Sequence, residues 1–298
     1  MTSPHHLAYS DADIVQTDAH KLGDAMTVNT MNDEPEKKDD QPEFLAAVDR
    51  TLKILEMLAD ESEGLSISDI ARRLEVNKAI AHRILSTLAQ LGYVYRTENQ
   101  FYQLTYKISN IGLRQQSNAR LTDQCFPLIR QLADETGELV RLAVIEHGIP
   151  IWVHAASGPV RRLTIDPIWR AELIWHVHAA AKAYLSTLDP DDILPKIGHG
   201  PYRSLTLHTI TDPAALLEDV AAAAARGFAL SYEEAELGVG AVASPIFLGG
   251  ITRQRCVGIL SVAAPTSRMN RDALIKTGVR LIEACAVLGS VWPLSATH

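Results

Sequence analysis

From position 44 onward, apolar residues recur at helical spacing. In FLAAVDRTLKILEMLAD, Leu45, Val48, Leu52, Leu55 and Leu58 stand three and four apart, which predicts an amphipathic helix. EGL ends it and leads to Ser66, which with Asp69 three residues on forms a capping box for a second helix, ISDIARRL. Ile67, Ile70, Ala71 and Leu74 line its inner side. Asn77 is the expected N-cap of a third helix, in which Ile80, Ile84, Leu85, Leu88 and Leu91 point inward and Gly92 is the stop. YVYRTENQFYQL then alternates on both sides of TENQ, the pattern of a β-hairpin. A helix, a second helix, a tight turn, a third helix and a hairpin is the layout of a winged helix-turn-helix.

Two helical segments follow, YKISNIGLRQQ and LTDQCFPLIRQLADETG, with Pro127 in a first turn or at a kink. From Leu139 the period changes to that of strands: LVRLAVIEHG, IPIWVHAAS and VRRLTIDPI. An Ala-rich helix, HAAAKAYLSTL, comes next. A further helix has Asp212 as cap, Pro213 in its first turn and Gly227 as stop. GAVASPIFL and RCVGILSVAA read as two more strands, and a last helix starts near Asn270. Strands at both ends of a set of helices predict an α+β chain: an N-terminal winged helix-turn-helix, a helical linker and a GAF-like mixed domain with an antiparallel sheet. The expected boundaries are 1–42 for a polar arm, 43–104 for the winged helix, 105–137 for the linker and 138–298 for the last domain.

Charge changes this picture in one respect. The chain of 298 residues carries a net −8, which on its face disfavours a nucleic-acid partner. The acidity is concentrated in Met1–Pro42, where three lysines meet nine acidic residues, a net −6. By composition that arm is solvated and disordered. Between Gly64 and Ser117 seven basic residues meet three acidic ones, a net +4. Cys125, Cys256 and Cys285 are far apart and form no metal or disulfide spacing, which fits a reducing cytoplasm. No signal pattern or spanning segment is legible, so no membrane partner is expected.

With its leucines and isoleucines inward, the third helix offers Asn77, Lys78, Ala79, His82, Arg83 and Ser86 on its other faces. In helix-turn-helix docking the N-terminal turn of such a helix enters the major groove. Lys78 and the free backbone N–H groups suit a phosphate, Asn77 and His82 can hydrogen-bond base edges, and Ala79 can touch a thymine methyl. Arg83 is placed for the backbone, Arg96 on the hairpin for phosphates or the minor groove, and Ser66 completes the candidate DNA-contact set.

These stretches resemble a known family. LSISDIARRLEVNKAIAHRILSTLAQLGYV, preceded by AVDRTLKILEML, is similar to the DNA-binding domain of the IclR family of bacterial transcriptional regulators. HAAAKAYLSTL resembles that family's small-residue loop and Gly-Lys-Ala, GFALSYEEAELGVGAVASPIF its aromatic-Ala-x-x-x-Glu-Glu run, and ILSVAAP its Ser-x-Ser-Gly-Pro strand end. The similarity covers about residues 44–292. It implies a C-terminal domain that binds small organic acids or aromatic compounds between its sheet and loops, at positions matching Ala180, Ala181, Ser231, Ala241, Ser261 and Ala263. Departures from the pattern are Glu75 and Asn77 in the turn, Ala79 and Ile80 in place of Ser-Thr, Ala181 in place of Gly and Ser231 in place of Asp. The operator sequence is therefore not carried over, and the effector differs from a small keto acid if the loop changes matter.

Three of the four tryptophans, Trp152, Trp169 and Trp175, fall close together with Arg161, Arg162 and Arg170. Aromatic walls and an arginine fork suit an aromatic carboxylate, with Trp152, Arg161 and Trp169 as candidate effector contacts; the plainer reading is core tryptophans and exposed arginines. His176 and His178 form an HVH pair that in a strand would share one face, a weak metal signal with no third ligand. No metal or cofactor is expected. The sequence contains no GxSxG, Walker A, GxGxxG or HExxH, and Glu233 and Glu234, being adjacent, diverge. The expectation is a ligand-responsive, non-enzymatic regulator of a catabolic operon, a homodimer or dimer of dimers on a palindromic duplex. The alternatives are an enzyme with an accessory winged helix and a winged helix that docks only protein.

Overall fold

A computed structural model describes residues 45–159, 163–165, 173–250 and 255–293. The acidic arm, most of the expected strand VRRLTIDPI, and Arg161, Arg162, Trp169 and Arg170 lie outside the described residues.

The first module runs α1 (Ala46–Ala59), β1 (Leu65–Ser66), α2 (Ile67–Arg73), α3 (Lys78–Gln90), β2 (Val94–Arg96) and β3 (Phe101–Leu104). The expected caps are in place, with the Asp69 carboxylate accepting from the Ser66 hydroxyl. Ser66 Oγ accepts from the Asp69 N–H at 3.2 Å, and Asn77 Oδ1 accepts from the Ile80 N–H at 2.9 Å. β1 is an element the sequence pattern did not reveal. It pairs antiparallel with β3, giving a three-stranded sheet in the order β1-β3-β2. Gly64, at φ +79, makes the turn into it, and any Cβ there would collide with the Tyr102 carbonyl.

The module's core is Ile54, Leu58, Leu65, Ile70, Ala71, Ala81, Leu85, Leu88, Val94 and Tyr102. Each fully buried aliphatic side chain in it is worth roughly 1.5–3 kcal/mol. Two expectations are corrected. On α1 the buried side is that of Ile54 and Leu58, while Leu45, Val48 and Leu52 are more than half exposed. On α3 the innermost line is Ala81, Leu85 and Leu88, and Leu91, the C-cap, faces out. In both helices the sequence holds more apolar positions than one small core can take, so three-and-four spacing left the buried side ambiguous.

α4 (Lys107–Ala119), α5 (Leu121–Gln124) and α6 (Phe126–Thr136) follow, with Arg120 left-handed at the first break and Pro127 in the first turn of α6. Ile129, Leu132 and Ala133 of α6 join the core of the second module rather than spanning a gap. That module is a five-stranded antiparallel sheet ordered β5-β4-β8-β7-β6, formed by β4 (Leu139–Glu146), β5 (Ile149–Ser157), β6 (Ala229–Tyr232), β7 (Val239–Phe247) and β8 (Cys256–Pro265). α6 and α10 (Arg271–Ser290) cover one face through Val140, Leu142, Val242, Leu260 and Val262. α7 (Ala179–Leu185) covers the other, backed by α8 (Pro190–Ile197) and α9 (Pro213–Arg226). β6 and α8 are further elements that the pattern did not single out. Asp212 caps α9 as expected, accepting from the Ala215 N–H at 2.9 Å, and left-handed Gly227 ends it.

Candidate nucleic-acid interface and effector-binding face

The first site is the outer side of α3. Asn77, Lys78, Ala79, His82, Arg83 and, on the hairpin, Arg96 are exposed; Ser86 is half-buried. Basic side chains nearby divide into two groups. On α2, Arg72 is held by Asp69 at 2.6 Å and Arg73 by Glu61 at 2.8 Å. Among the described residues neither Lys78 nor Arg83 is in an ion pair, so both are available to an external phosphate. His82 and Ser86 face each other one turn apart, Nδ1 to Oγ at 3.5 Å. Arg96 lies over the Tyr102 ring at 5.6 Å, which holds its guanidinium at the hairpin.

Two candidates are already occupied within the fold. The Ser66 hydroxyl donates to Asp69 Oδ2 at 2.5 Å while accepting from the Asp69 N–H, so its donor is spent. Asn77 has committed its carboxamide oxygen to the cap, which leaves the amide NH2 as its free group.

The second site is the face of the large sheet beneath α7. Every residue of α7 is buried. Its alanines let it approach the sheet closely, and Ala179, Ala180 and Ala183 pack with Ala143, Ala229 and Ala243. Strand register brings the remaining candidates together. One row across the sheet reads Leu139, Ala263, Ala241, Ser231. The neighbouring row on the same face reads Ala155, Arg141, Ser261, Ala243, Ala229. Ser231, Ala241, Ser261 and Ala263 therefore share one small-residue floor, with Ala180 above it. Ala181 is fully buried in the same helix. Trp152 sits at the β5 edge of this floor, its ring 4.1 Å from the Arg141 guanidinium carbon.

Arg141 was not singled out by sequence, although its neighbours Trp152 and Ser261 were. Alternation in LVRLAVIE does put Arg141 on the face opposite Val140 and Leu142, but both faces of β4 are covered, so it reads as one apolar run. Burial pushes the Arg141 guanidinium down to about 10, and its Nε is buried with no hydrogen-bond partner. His178 departs from the expected strand. His176 and His178 lie on a turn entering α7, with His178 as its N-cap. His178 Nδ1 accepts from the Ile174 N–H at 2.8 Å, so the neutral ring carries its proton on Nε2. Burial, then the Arg141 charge, then His176 hold the ring down to about 4. His176 stacks on Tyr202 and its Nε2 lies 2.9 Å from the Arg203 carbonyl. Among the described residues no cluster of three or more His, Cys, Asp or Glu is arranged to hold a metal ion.

A buried ion network fixes α7 over the floor. Lys182 is completely buried, with Nζ 2.8 Å from Asp219 Oδ2 and 2.9 Å from both oxygens of Glu234. Burial raises the Glu234 carboxyl, partly offset by Lys182. Glu233 turns away, as adjacency predicts, and accepts from the Gly238 N–H and the Thr266 hydroxyl. The sequence signal for Lys182 was a single cation among small apolar residues on every side of a helix.

Comparison with known proteins agrees with both modules. Residues 47–98 match the model of the IclR helix-turn-helix domain, and residues 114–289 that of the bacterial transcriptional regulator IclR C-terminal domain. The chain is 32% identical over 246 residues to the HTH-type transcriptional regulator BhcR of Paracoccus denitrificans, covering 82% of this chain and 86% of that protein. Its fold is similar to an IclR transcriptional regulator from Alicyclobacillus acidocaldarius, with a TM-score of 0.72 at 21% identity over 84% of this chain and 99% of that one. It is also similar to an IclR homolog from Microbacterium hydrocarbonoxydans complexed with 4-hydroxybenzoate, with a TM-score of 0.68 at 21% identity over 84% and 100%. Among the described residues no helix is long and apolar enough to cross a membrane.

Proposed function

This chain belongs to the IclR family of bacterial transcriptional regulators, and we propose on that premise that it is a cytoplasmic, ligand-responsive regulator of a catabolic operon. It reads a palindromic operator as a homodimer or dimer of dimers, and its effector is a small aromatic or other organic acid. The observation that carries the DNA half is the outer side of α3, where Lys78 and Arg83 have no counter-charge among the described residues while their neighbours on α2 are paired. Docked N-terminal turn first, α3 sets Lys78 and the Asn77 amide at its entering end, with Ala79 and His82 towards the bases and Arg83 towards the backbone. One such helix covers a half-site, so two copies are needed for a palindrome. Val48 and Leu52 on α1, with Tyr106 at the N-cap of α4 and Ile111 and Leu113 on it, are exposed apolar side chains that suit contact with a second copy.

For the effector half, support comes from the Ala- and Ser-lined floor under α7 and from the 4-hydroxybenzoate held by the Microbacterium homolog. Effector binding favours one arrangement of the DNA-binding modules over another, which couples the two sites. Footprinting of the purified protein on the region upstream of its own gene, with and without aromatic and short organic acids, tests the proposal. Two protected half-sites, altered by at least one acid and lost steeply with added salt, are expected. No protection under any condition would leave a protein-docking winged helix as the better reading.

A further inference from the structure

We infer that Arg141 is the anchor for a carboxylate on the effector, gripping it beside Ser261 on the floor under α7. The inference rests on the ligand-responsive reading above and adds to it a residue on β4, beyond the small-residue positions on α7, β6, β7 and β8.

Arg141 is a half-buried cation. Arg141 projects from the middle of a sheet covered on both faces, and its Nε is shut off from solvent without a hydrogen-bond partner. Among the described residues no carboxylate lies within ion-pair distance of it. Buried charges are ordinarily paired, because an isolated one forfeits its hydration. Trp152 supplies a π face at 4.1 Å, which steadies the guanidinium but carries no counter-charge. The next residue along its row, Ser261, offers a buried hydroxyl, and the positions beyond, Ala243 and Ala229, are too short to reach.

The nearby polar side chains can all donate: the guanidinium fork, a serine hydroxyl and, at the start of α7, the Nε2–H of neutral His178. A donor set with one fixed positive charge matches a monoanion with two acceptor oxygens, and the guanidinium fork fits a carboxylate with two parallel bonds. The Trp152 ring at the same end of the floor suits a planar acid. An amide of the same shape would leave guanidinium N–H groups facing N–H groups.

The test compares acid and amide of identical shape on the full-length protein: 4-hydroxybenzoate with 4-hydroxybenzamide, benzoate with benzamide, and pyruvate with pyruvamide. Binding is read by tryptophan fluorescence and thermal shift. At least one acid is expected to bind, its amide about 10- to 100-fold more weakly, from the strength of charge-assisted hydrogen bonds. Arg141→Gln should lose that preference, binding acid and amide alike, whereas Arg141→Lys should keep part of it. The acid–amide comparison on the unmodified protein stands even if Arg141→Gln fails to fold. Equal binding of acid and amide, or an undiminished acid preference in Arg141→Gln, would overturn the role of Arg141 and leave the ligand-responsive reading intact. If no compound binds and none alters operator affinity, that reading falls and Arg141 with it.

Discussion

Replacing Lys182 with Met removes the cation from the network that fastens α7. Lys182 Nζ sits 2.8–2.9 Å from three carboxylate oxygens with its side chain fully buried, Glu234 is 11% exposed and Asp219 24%. Methionine fills much of the same volume, so the cost is mainly electrostatic. Stranding a buried carboxylate costs about 3–5 kcal/mol. The lower end is expected, since Asp219 is partly hydrated and Glu234 can take up a proton. The pH dependence follows. Burial already raises the Glu234 carboxyl in the parent, and losing Lys182 raises it further. A group with a raised native pKa contributes full stability below its unfolded value, near 4.5, and loses it as pH rises through the native value. The Lys182→Met deficit should therefore be small near pH 4.5 and grow towards pH 8. Urea unfolding followed by tryptophan fluorescence is the assay, because all four tryptophans lie between positions 152 and 292 and report on this module. Adding Glu234→Gln should recover part of the loss. A Lys182→Met protein within about 0.5 kcal/mol of the parent at pH 8, or a deficit equal at both pH values, would refute the reasoning.

Asn77→Ala should cost the winged-helix module about 1 kcal/mol through loss of the cap, whereas Asn77→Asp should retain that stability; thermal melts of the two variants check this. Any change in operator preference for Asn77→Asp then reports the replacement of the amide NH2 by a charged oxygen. Arg83→Ala should weaken binding to every duplex to a similar extent and reduce the salt slope by about 1, measured by titration at several salt concentrations. His178 is held neutral down to about 4 in the native protein, so between there and 6.5 the unfolded chain binds the extra proton. Stability is present above pH 6.5 and lost as pH falls towards 4, by up to about 3 kcal/mol from this group. His178→Asn should flatten that part of the stability–pH profile.

The local sequence determined what depends on local physics. Helix starts at Ser66, Asn77, Asp212 and Asn270 were legible because a cap is a contact between a residue and its third neighbour, and each is present in the structure. The hairpin was legible for the same reason. Resemblance of several short motifs in the right order supplied the family and the small-residue positions of the second module.

Tertiary structure decided what depends on partners distant in the chain. The pairing of two-residue β1 with β3 carries no periodicity of its own, so it emerges only once Gly64 brings the strand alongside. The outward turn of Leu45, Val48 and Leu52 follows from the size of the core available, which apolar spacing does not encode. Arg141 beside Ser261, and Lys182 between Asp219 and Glu234, join residues 37 to 120 positions apart. Whether such a charge is paired, stranded or solvated depends on strand register and on what covers the face, and both are properties of the assembled sheet.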